Sequence, residues 1–277
     1  MLLDGVEPAN PGNIDRLLRK IGEERGLDLG QYRRSYVERR IATRMRAVGC
    51  RTYMRYARYL DEHPEEWHKL LDTLTINVTE FFRDPEVYEE FARTVVPSLL
   101  AEKERRRQRM VRVWSAGCAT GQEPYSIAMS VLWAMKGWRE HFYLNVLATD
   151  LDPEALRKAK EAHYPREQLA SIPPKYRTRF VEPTADGFRL TREVTDVVRF
   201  RQLNLFEDDP IHVVDVIFCR NVFIYFTREQ QMRVLEKFWS SLHRGGYLVL
   251  GRSEKLSGET AQRLELVNAR LRIYRKP

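Results

Sequence analysis

Residues 111–126 read VRVWSAGCATGQEPYS, and the fold follows from how this stretch is read. Val111, Val113, Trp114 and Ala116 make the short apolar run of a buried strand. Gly117-Cys118-Ala119-Thr120-Gly121 interrupts it, and Ile127, Ala128, Met129, Val131 and Leu132 then recur at helical spacing. Strand, glycine turn and helix start form the opening unit of a nucleotide-binding α/β domain. Glycine lets the backbone approach a ligand, and the first free amides of the helix face it. The turn lacks G-x-G-x-x-G, which weakens a dinucleotide reading, and lacks G-x-x-x-x-G-K-[ST], which removes a P-loop. A glycine turn without a ligand is the alternative this stretch leaves open.

Downstream, 144–149 is a second apolar run closed by Asp150, and Asp152-Pro153 opens a helix to about Ala162. An acid at the end of the second strand is where such domains hold a ribose hydroxyl pair. Residues 165–199 break the alternation with four prolines and short alternating runs, so a small helical and β-hairpin insertion is expected there. Val197 to Phe200 reads as a short strand with Leu203-Asn204-Leu205 as its loop, and 213–219 as a fully buried strand followed by Arg220-Asn221-Val222-Phe223. Thr227 caps a helix predicted to reach His243. Gly245-Gly246 turns into a strand over 247–250, and 264–267 with 271–274 finish as a hairpin. The pattern predicts an open, mostly parallel sheet with an antiparallel ending over 111–277.

Upstream the periodicity is helical. Residues 1–12 read as a loose tail, and Asn13 caps a helix carrying Ile14, Leu17, Leu18 and Ile21 as far as Gly26. Helices over 31–48, around Tyr53–Leu60 and after Pro64 complete a small bundle within 1–75. Asp84 is the predicted cap of a helix starting at Pro85, kinking near Pro97 and ending in the basic run 103–112. Residues 76–110 read as the joint between the two domains.

Charge and composition narrow the function. The chain has 277 residues, 43% of them hydrophobic, enough for one large core and a small companion domain. No apolar run reaches the roughly 18 residues of a membrane span, and the opening MLLDGVEPANPGN is not the pattern of a secretory signal. Cys50, Cys118 and Cys219 form no C-x-x-C and read as reduced thiols of a cytoplasmic protein. The six histidines have no ligand spacing, so no metal is expected. The net charge is +8, and the segment from Leu29 to Arg58 alone holds nine arginines against one acid, Glu38. The remaining 38 basic and 38 acidic residues cancel. Arg33, Arg40 and Arg44, then Arg51 and Arg55, fall at helical spacing, either as a solvated face or as a docking surface for an acidic partner.

Six stretches in order resemble one family closely: NVTEFFRD (77–84), WSAGCATGQEPYSIAM (114–129), LATDLD (147–152), LNLFE (203–207), DVIFCRNVFIYF (215–226) and GGYLVLGRSE (245–254). The chain is similar to the chemotaxis receptor glutamate O-methyltransferases of CheR type. The resemblance implies a Rossmann-like S-adenosylmethionine-dependent methyltransferase sheet with a small β-subdomain insertion, preceded by a small all-α domain. It implies S-adenosyl-L-methionine as methyl donor, S-adenosyl-L-homocysteine as product, and chemoreceptor cytoplasmic helices as partner. By position, Asn77, Thr79 and Arg83 would fold over the cofactor, Arg83 pairing with its carboxylate. Gly117 would stand in the glycine turn beside it, Glu123 would meet its cationic end and Asp150 its ribose. Asn204 and Leu205 would border the adenine, and Asn221 and Val222 would line the pocket beside the methyl group. Tyr225, and an arginine among Arg105, Arg106 and Arg107 (Arg107 is taken here), are the candidates for positioning the acceptor carboxylate.

That acceptor suits a sparse site, because a glutamate with a pKa of about 4.3 is already ionised near neutrality. Alignment and desolvation then matter more than a general base. The chain departs from many relatives at Gln122, where they have an acid, and at Arg252, where they have histidine. The stretch 180–200 is short, so no tether to a receptor tail peptide is expected. Two other readings stay open: a nucleic-acid methyltransferase using the basic bundle, against which the chain lacks an Asn/Asp-Pro-Pro-Tyr/Phe motif, and a non-catalytic cofactor-binding regulator.

Overall fold

Proline sets the start of several helices, standing where a missing N–H costs nothing. The computed structural model describes residues 11–75, 77–138 and 141–277. It divides into two compact units, residues 11–75 with Tyr225–Gln230, and Asn77–Ile224 with Gln231–Pro277.

The first unit holds α1 (Pro11–Arg25), α2 (Arg34–Ala47), α3 (Tyr53–Glu62) and α4 (Pro64–Leu74). Ile14, Leu17 and Ile21 from α1, Val37, Ile41 and Met45 from α2, Tyr56 and Leu60 from α3, and Trp67 and Leu70 from α4 are all buried. The tail expected over 1–12 falls outside the described residues except for Pro11 and Gly12, which open α1. That helix therefore begins before Asn13, and Asn13 is not its cap. Helix α2 starts at Arg34 because Leu29–Gln31 forms a separate 3-10 turn, whose Gly30 amide donates to the Asp28 carboxylate (2.9 Å). Tyr225–Gln230 belongs to this unit through the backbone. The Arg33 amide donates to the Tyr225 carbonyl (2.8 Å) and the Thr227 amide to the Gln31 carbonyl (3.2 Å).

The second unit opens with α5 (Pro85–Glu90), a π-helical turn over Phe91–Val95, and α6 (Val96–Arg105). Where a kink near Pro97 is expected, the helix carries a π-helical turn just before it: the Val96 amide donates to the Phe91 carbonyl, five residues back. The stretch read as a joint belongs to the second unit from Asn77 on, and it joins the core from Phe81. Phe81, Phe82, Val87, Tyr88, Phe91, Val95, Val96, Leu99 and Leu100 all lie in the hydrophobic cluster. Asp84 is not a cap. It has a left-handed backbone (φ 56°), makes no capping bond and gives its carboxylate to Arg220 instead.

Strand β1 (Met110–Ala116), α7 (Gln122–Ala134), β2 (Tyr143–Asp150) and α8 (Pro153–Glu161) follow as the sequence predicts. The insertion is a three-stranded antiparallel sheet of β3 (His163–Pro165), β4 (Val181–Pro183) and β5 (Gly187–Leu190), in the order β3-β5-β4, with α9 (Pro174–Phe180) and α10 (Arg192–Thr195) beside it in sequence. Then come β6 (Val198–Gln202), β7 (Val214–Cys219), α11 (Arg228–Ser241), β8 (Leu242–Leu250), α12 (Glu259–Gln262), β9 (Glu265–Asn268) and β10 (Ile273–Arg275). The main sheet has the order β6-β2-β1-β7-β8-β10-β9. Its pairs from β6 to β8 are parallel, and β10 is antiparallel to both its neighbours. Strand β8 starts at Leu242, so Gly245-Gly246 lies within it, at an irregularity in its pairing with β7. The register jumps there from Val214–Leu242 to Val216–Tyr247.

Candidate methyl-donor site

From β1 the chain moves outward through β2 to β6 and then returns to β7 on the other side of β1. The carboxyl ends of β1 and β7 therefore form the switch point where such sheets bind ligands. The glycine turn after β1 is tied down from within. The Gly117 and Cys118 amides donate to the Thr149 carbonyl (2.8 and 3.0 Å), and the Ala119 amide donates to the Asp150 carboxylate (2.7 Å). Asp150 also accepts from the Asp152 amide (3.0 Å), and its carbonyl accepts from Leu203 (3.0 Å), which brings the loop after β6 to the end of β2. Burial pushes the Asp150 carboxyl up, and the amides of Asp152 and Ala119 oppose that shift. Asn77 reaches the same end, its side-chain amide donating to the Asp152 carboxylate (2.8 Å).

Glu123 lies in the first turn of α7 and is buried. The Ser115 hydroxyl donates to one of its oxygens (2.8 Å), and the Arg220 guanidinium stands 3.9 Å from the other. Burial pushes its carboxyl up to about 7, against the opposing pull of Arg220 and Ser115. Arg220 is itself buried, donates to the Tyr88 hydroxyl (3.3 Å) and Asp84, and leaves its Nε without a partner among the described residues. Arg83 sits between Phe82 (φ 51°) and Asp84 (φ 56°), two non-glycine residues in the left-handed region. This strained turn is held on one side by the Phe82 amide donating to the Ser126 hydroxyl (2.9 Å) and on the other by Arg220.

Asn221 (φ 61°) and Val222 follow β7. Gly117 (φ 81°) packs so closely on Val222 that a Cβ there would lie 2.6 Å from a Val222 methyl. Asn204 turns its own loop, its side-chain oxygen accepting from the Phe206 amide (3.0 Å), while Lys237 donates to the Leu205 carbonyl (2.7 Å). The structure therefore brings Asn77, Arg83, Gly117, Glu123, Asp150, Asn204, Leu205, Asn221 and Val222 to one end of one sheet. Thr79 is half-buried in the same segment as Asn77.

Arg107 is placed away from this group within the same unit. Arg107 follows α6 and precedes β1, at the amino-terminal end of a seven-residue strand. At about 3.3 Å per residue that puts it roughly 20 Å from the carboxyl ends, so it is not brought to this site. Tyr225 is grouped with the helical unit, its ring 4.8 Å from that of Tyr36. Among the arginines, Arg33, Arg51 and Arg55 are exposed, and Arg40 is half-buried with its guanidinium 5.7 Å from the Tyr36 ring. Arg44 forks onto the buried Glu66 (2.9 and 2.8 Å) and is a bundle residue. Sequence reasoning gave no individual role to Arg220, Ser115 and Ser126, all buried polar residues, nor to Glu254. A polar side chain inside an otherwise apolar strand or helix was the available signal for Ser115 and Ser126, and a charge directly after a fully buried strand was the signal for Arg220.

Residues 77–273 match the family described as CheR methyltransferase, SAM binding domain, and residues 12–75 match CheR methyltransferase, all-alpha domain. The chain belongs to the CheR methyltransferase family. It is 29% identical to the chemotaxis protein methyltransferase of Borreliella burgdorferi over 88% of each chain. It is 34% identical to chemotaxis protein methyltransferase 2 of Pseudomonas aeruginosa, covering 83% of this chain and 81% of that one. The Escherichia coli chemotaxis protein methyltransferase is 34% identical, with 87% and 84% covered. S-adenosylmethionine is thus the cofactor, and the site fits it. The amides of Gly117, Cys118 and Ala119 are all engaged within the protein rather than turned to a phosphate, and this donor has no phosphate. Its cationic methionine end and its ribose hydroxyls instead match the buried carboxylate of Glu123 and the half-buried one of Asp150. Of the family departures, Gln122 bonds to Thr120 (2.8 Å) and Gln168 (3.1 Å), and Arg252 pairs with Glu86 (2.6 Å).

Proposed function

We propose that this methyltransferase transfers a methyl group from S-adenosylmethionine to glutamate side chains of chemoreceptor cytoplasmic helices, giving glutamyl methyl esters and S-adenosylhomocysteine. The single observation that carries the reading is the acid pair Glu123 and Asp150 at the switch point, with Arg83 beside them and no histidine among the residues gathered there. Bound S-adenosylmethionine supplies an electrophilic methyl group on a positively charged sulfur. Glu123 holds the ammonium end, Arg83 the carboxylate end, Asp150 the ribose, and Asn204 and Leu205 border the base. Asn221, Val222 and Gly117 shape the wall beside the methyl group. Because the acceptor is already an anion, these residues need only orient it and exclude water. Tyr225 is the acceptor-side positioning residue.

Receptor docking is assigned to Arg33, Arg51 and Arg55, with Arg40 at the margin. None of these four makes an ion pair among the described residues, so their charge is available to the acidic faces of receptor helices. The work is done at the receptor's cytoplasmic side, and no helix among the described residues is long and apolar enough to cross a membrane. No tail-peptide tether is assigned, and calorimetric titration with receptor tail peptides tests that. The main test is transfer of labelled methyl groups to receptor cytoplasmic fragments, with base-labile methanol release marking the ester. Product that survives base, or label on nucleic acid instead, overturns the assignment.

A further inference from the structure

Glu254 lies just beyond β8 and is almost fully buried (3% exposed), with no cation paired to it among the described residues. Its partners are backbone amides. One oxygen accepts from Gly251 (2.6 Å) and Asn221 (3.0 Å), and the other from Ile224 (3.3 Å). Two of these donors come from the turn after β7, and the third from the turn after β8. The carboxylate is therefore an internal anion around which the 221–224 turn is wrapped, as amide nests wrap bound anions. Asn221 is held at φ 61°, a left-handed conformation that asparagine accepts more readily than most side chains, and both flanking ends of the turn are tied down by these bonds.

The spacing around it leaves no slack. A Cβ on Gly251 would lie 2.7 Å from the Glu254 carboxylate and 2.9 Å from the Asn221 amide nitrogen. At the other end of the turn, Val222 is pressed against Gly117. A chain of fixed contacts thus runs from Glu254 through Asn221 and Val222 to the glycine turn after β1. Burial pushes the Glu254 carboxyl up, and the amides of Gly251, Asn221 and Ile224 pull it back. An apolar residue of the same size would fill the space but leave one buried and two half-buried N–H groups without this acceptor.

We infer that Glu254 is a positioning residue for the methyl-donor pocket, its buried carboxylate setting Asn221 and Val222 against Gly117. This rests on the assignment of Asn221 and Val222 to the pocket wall. In Glu254→Gln the amide group must turn an N–H toward one of the donors, which breaks the wrap while keeping the volume.

The test is equilibrium binding of S-adenosylhomocysteine by calorimetry, run with thermal unfolding and near-UV circular dichroism on Glu254→Gln, Gly251→Ala and Asn221→Ala. A folded Glu254→Gln protein is expected to bind at least ten-fold more weakly, and Gly251→Ala, which keeps the carboxylate but crowds it, is expected to shift in the same direction. Glu254→Gln combined with Gly251→Ala should lose little beyond the larger single loss, because both act on one carboxylate. A Kd within two-fold of the parent in folded Glu254→Gln, while Asn221→Ala is weakened, overturns the inference alone. An unchanged Kd in Asn221→Ala overturns the pocket assignment beneath it. If Glu254→Gln does not fold, Gly251→Ala decides, and an unchanged Kd there overturns the inference.

Discussion

The Glu123 carboxylate and the Arg220 guanidinium are both buried, yet they stand 3.9 Å apart rather than in direct hydrogen-bond contact. Arg220 is committed to Asp84 and Tyr88, so its charge reaches Glu123 only as a field. Glu123 is left partly compensated, in the position from which the methionine ammonium is proposed to complete it.

A pH dependence follows. The Glu123 carboxyl is pushed up to about 7, above its ordinary value, because burial penalises its charge. Its contribution to stability without cofactor is therefore full below the ordinary carboxylate range and is lost as pH rises through about 7. Cofactor that pairs with the ionised form should behave oppositely, binding more weakly by about ten-fold per pH unit below that point. Calorimetry in buffers of different ionisation enthalpy should register proton release on binding near neutrality, and Glu123→Gln should abolish it.

Arg220→Leu removes the nearest positive charge from Glu123 and leaves Asp84 without its partner. Loss of a partly buried pair of this kind costs about 3 kcal/mol. The variant should unfold at lower temperature, and the pH midpoint of cofactor binding should move upward. A midpoint that stays in place would show that Arg220 does not act on Glu123.

Gly117→Ala drives a methyl group to 2.6 Å from Val222 in a backbone conformation with φ 81°. Overpacking and left-handed strain together should cost about 2 kcal/mol and weaken S-adenosylhomocysteine binding. Val222→Ala in the same chain should restore part of the loss, because it removes the clash but not the strain.

The arginines should separate into two classes. Arg51→Glu with Arg55→Glu should raise the KM for a receptor fragment and leave cofactor binding unchanged. Arg44→Ala should instead lower stability by about 3 kcal/mol, since it strands the buried Glu66. Burial pushes the Glu66 carboxyl up, but Arg44 and Tyr56 outweigh that and hold it below its usual range. The stability it lends is therefore present above that range and lost as pH falls, a slope that Arg44→Ala should flatten.

Arg107→Ala should leave methyl transfer at parental rates, whereas Tyr225→Phe should lower kcat with little change in cofactor affinity. Single-turnover transfer to a receptor fragment distinguishes the two. Equal losses would return Arg107 to the acceptor side.

What the sequence reveals and what it hides divide along range. Val111 to Gly121 carries its own period and its own turn residues, so strand, turn and helix are legible from local chemistry. Asp150 is found by its place at a strand end. Asp84 misleads because aspartate before proline is locally a cap, while the tertiary structure gives its carboxylate to Arg220, 136 residues along the chain. Arg44 misleads in the same way, since its acid lies 22 residues on and no helical spacing rule reaches it. The basic run around Arg107 precedes the strand read from Val111, so its place at the amino-terminal end is legible from chain order, and only the family resemblance pulls it toward the acceptor. Glu254 is invisible until the turns after β7 and β8 meet.

The assignment of Tyr225–Gln230 to the helical unit bears on how these proteins can be recombined. The chain enters that unit twice, and the Arg33 amide and guanidinium both donate to the returning segment, at the Tyr225 and Phe226 carbonyls. One cut near residue 76 therefore does not excise a complete module. A chimera that exchanges the amino-terminal helices between relatives has to exchange residues 225–230 with them, or it inherits an interface drawn from two parents.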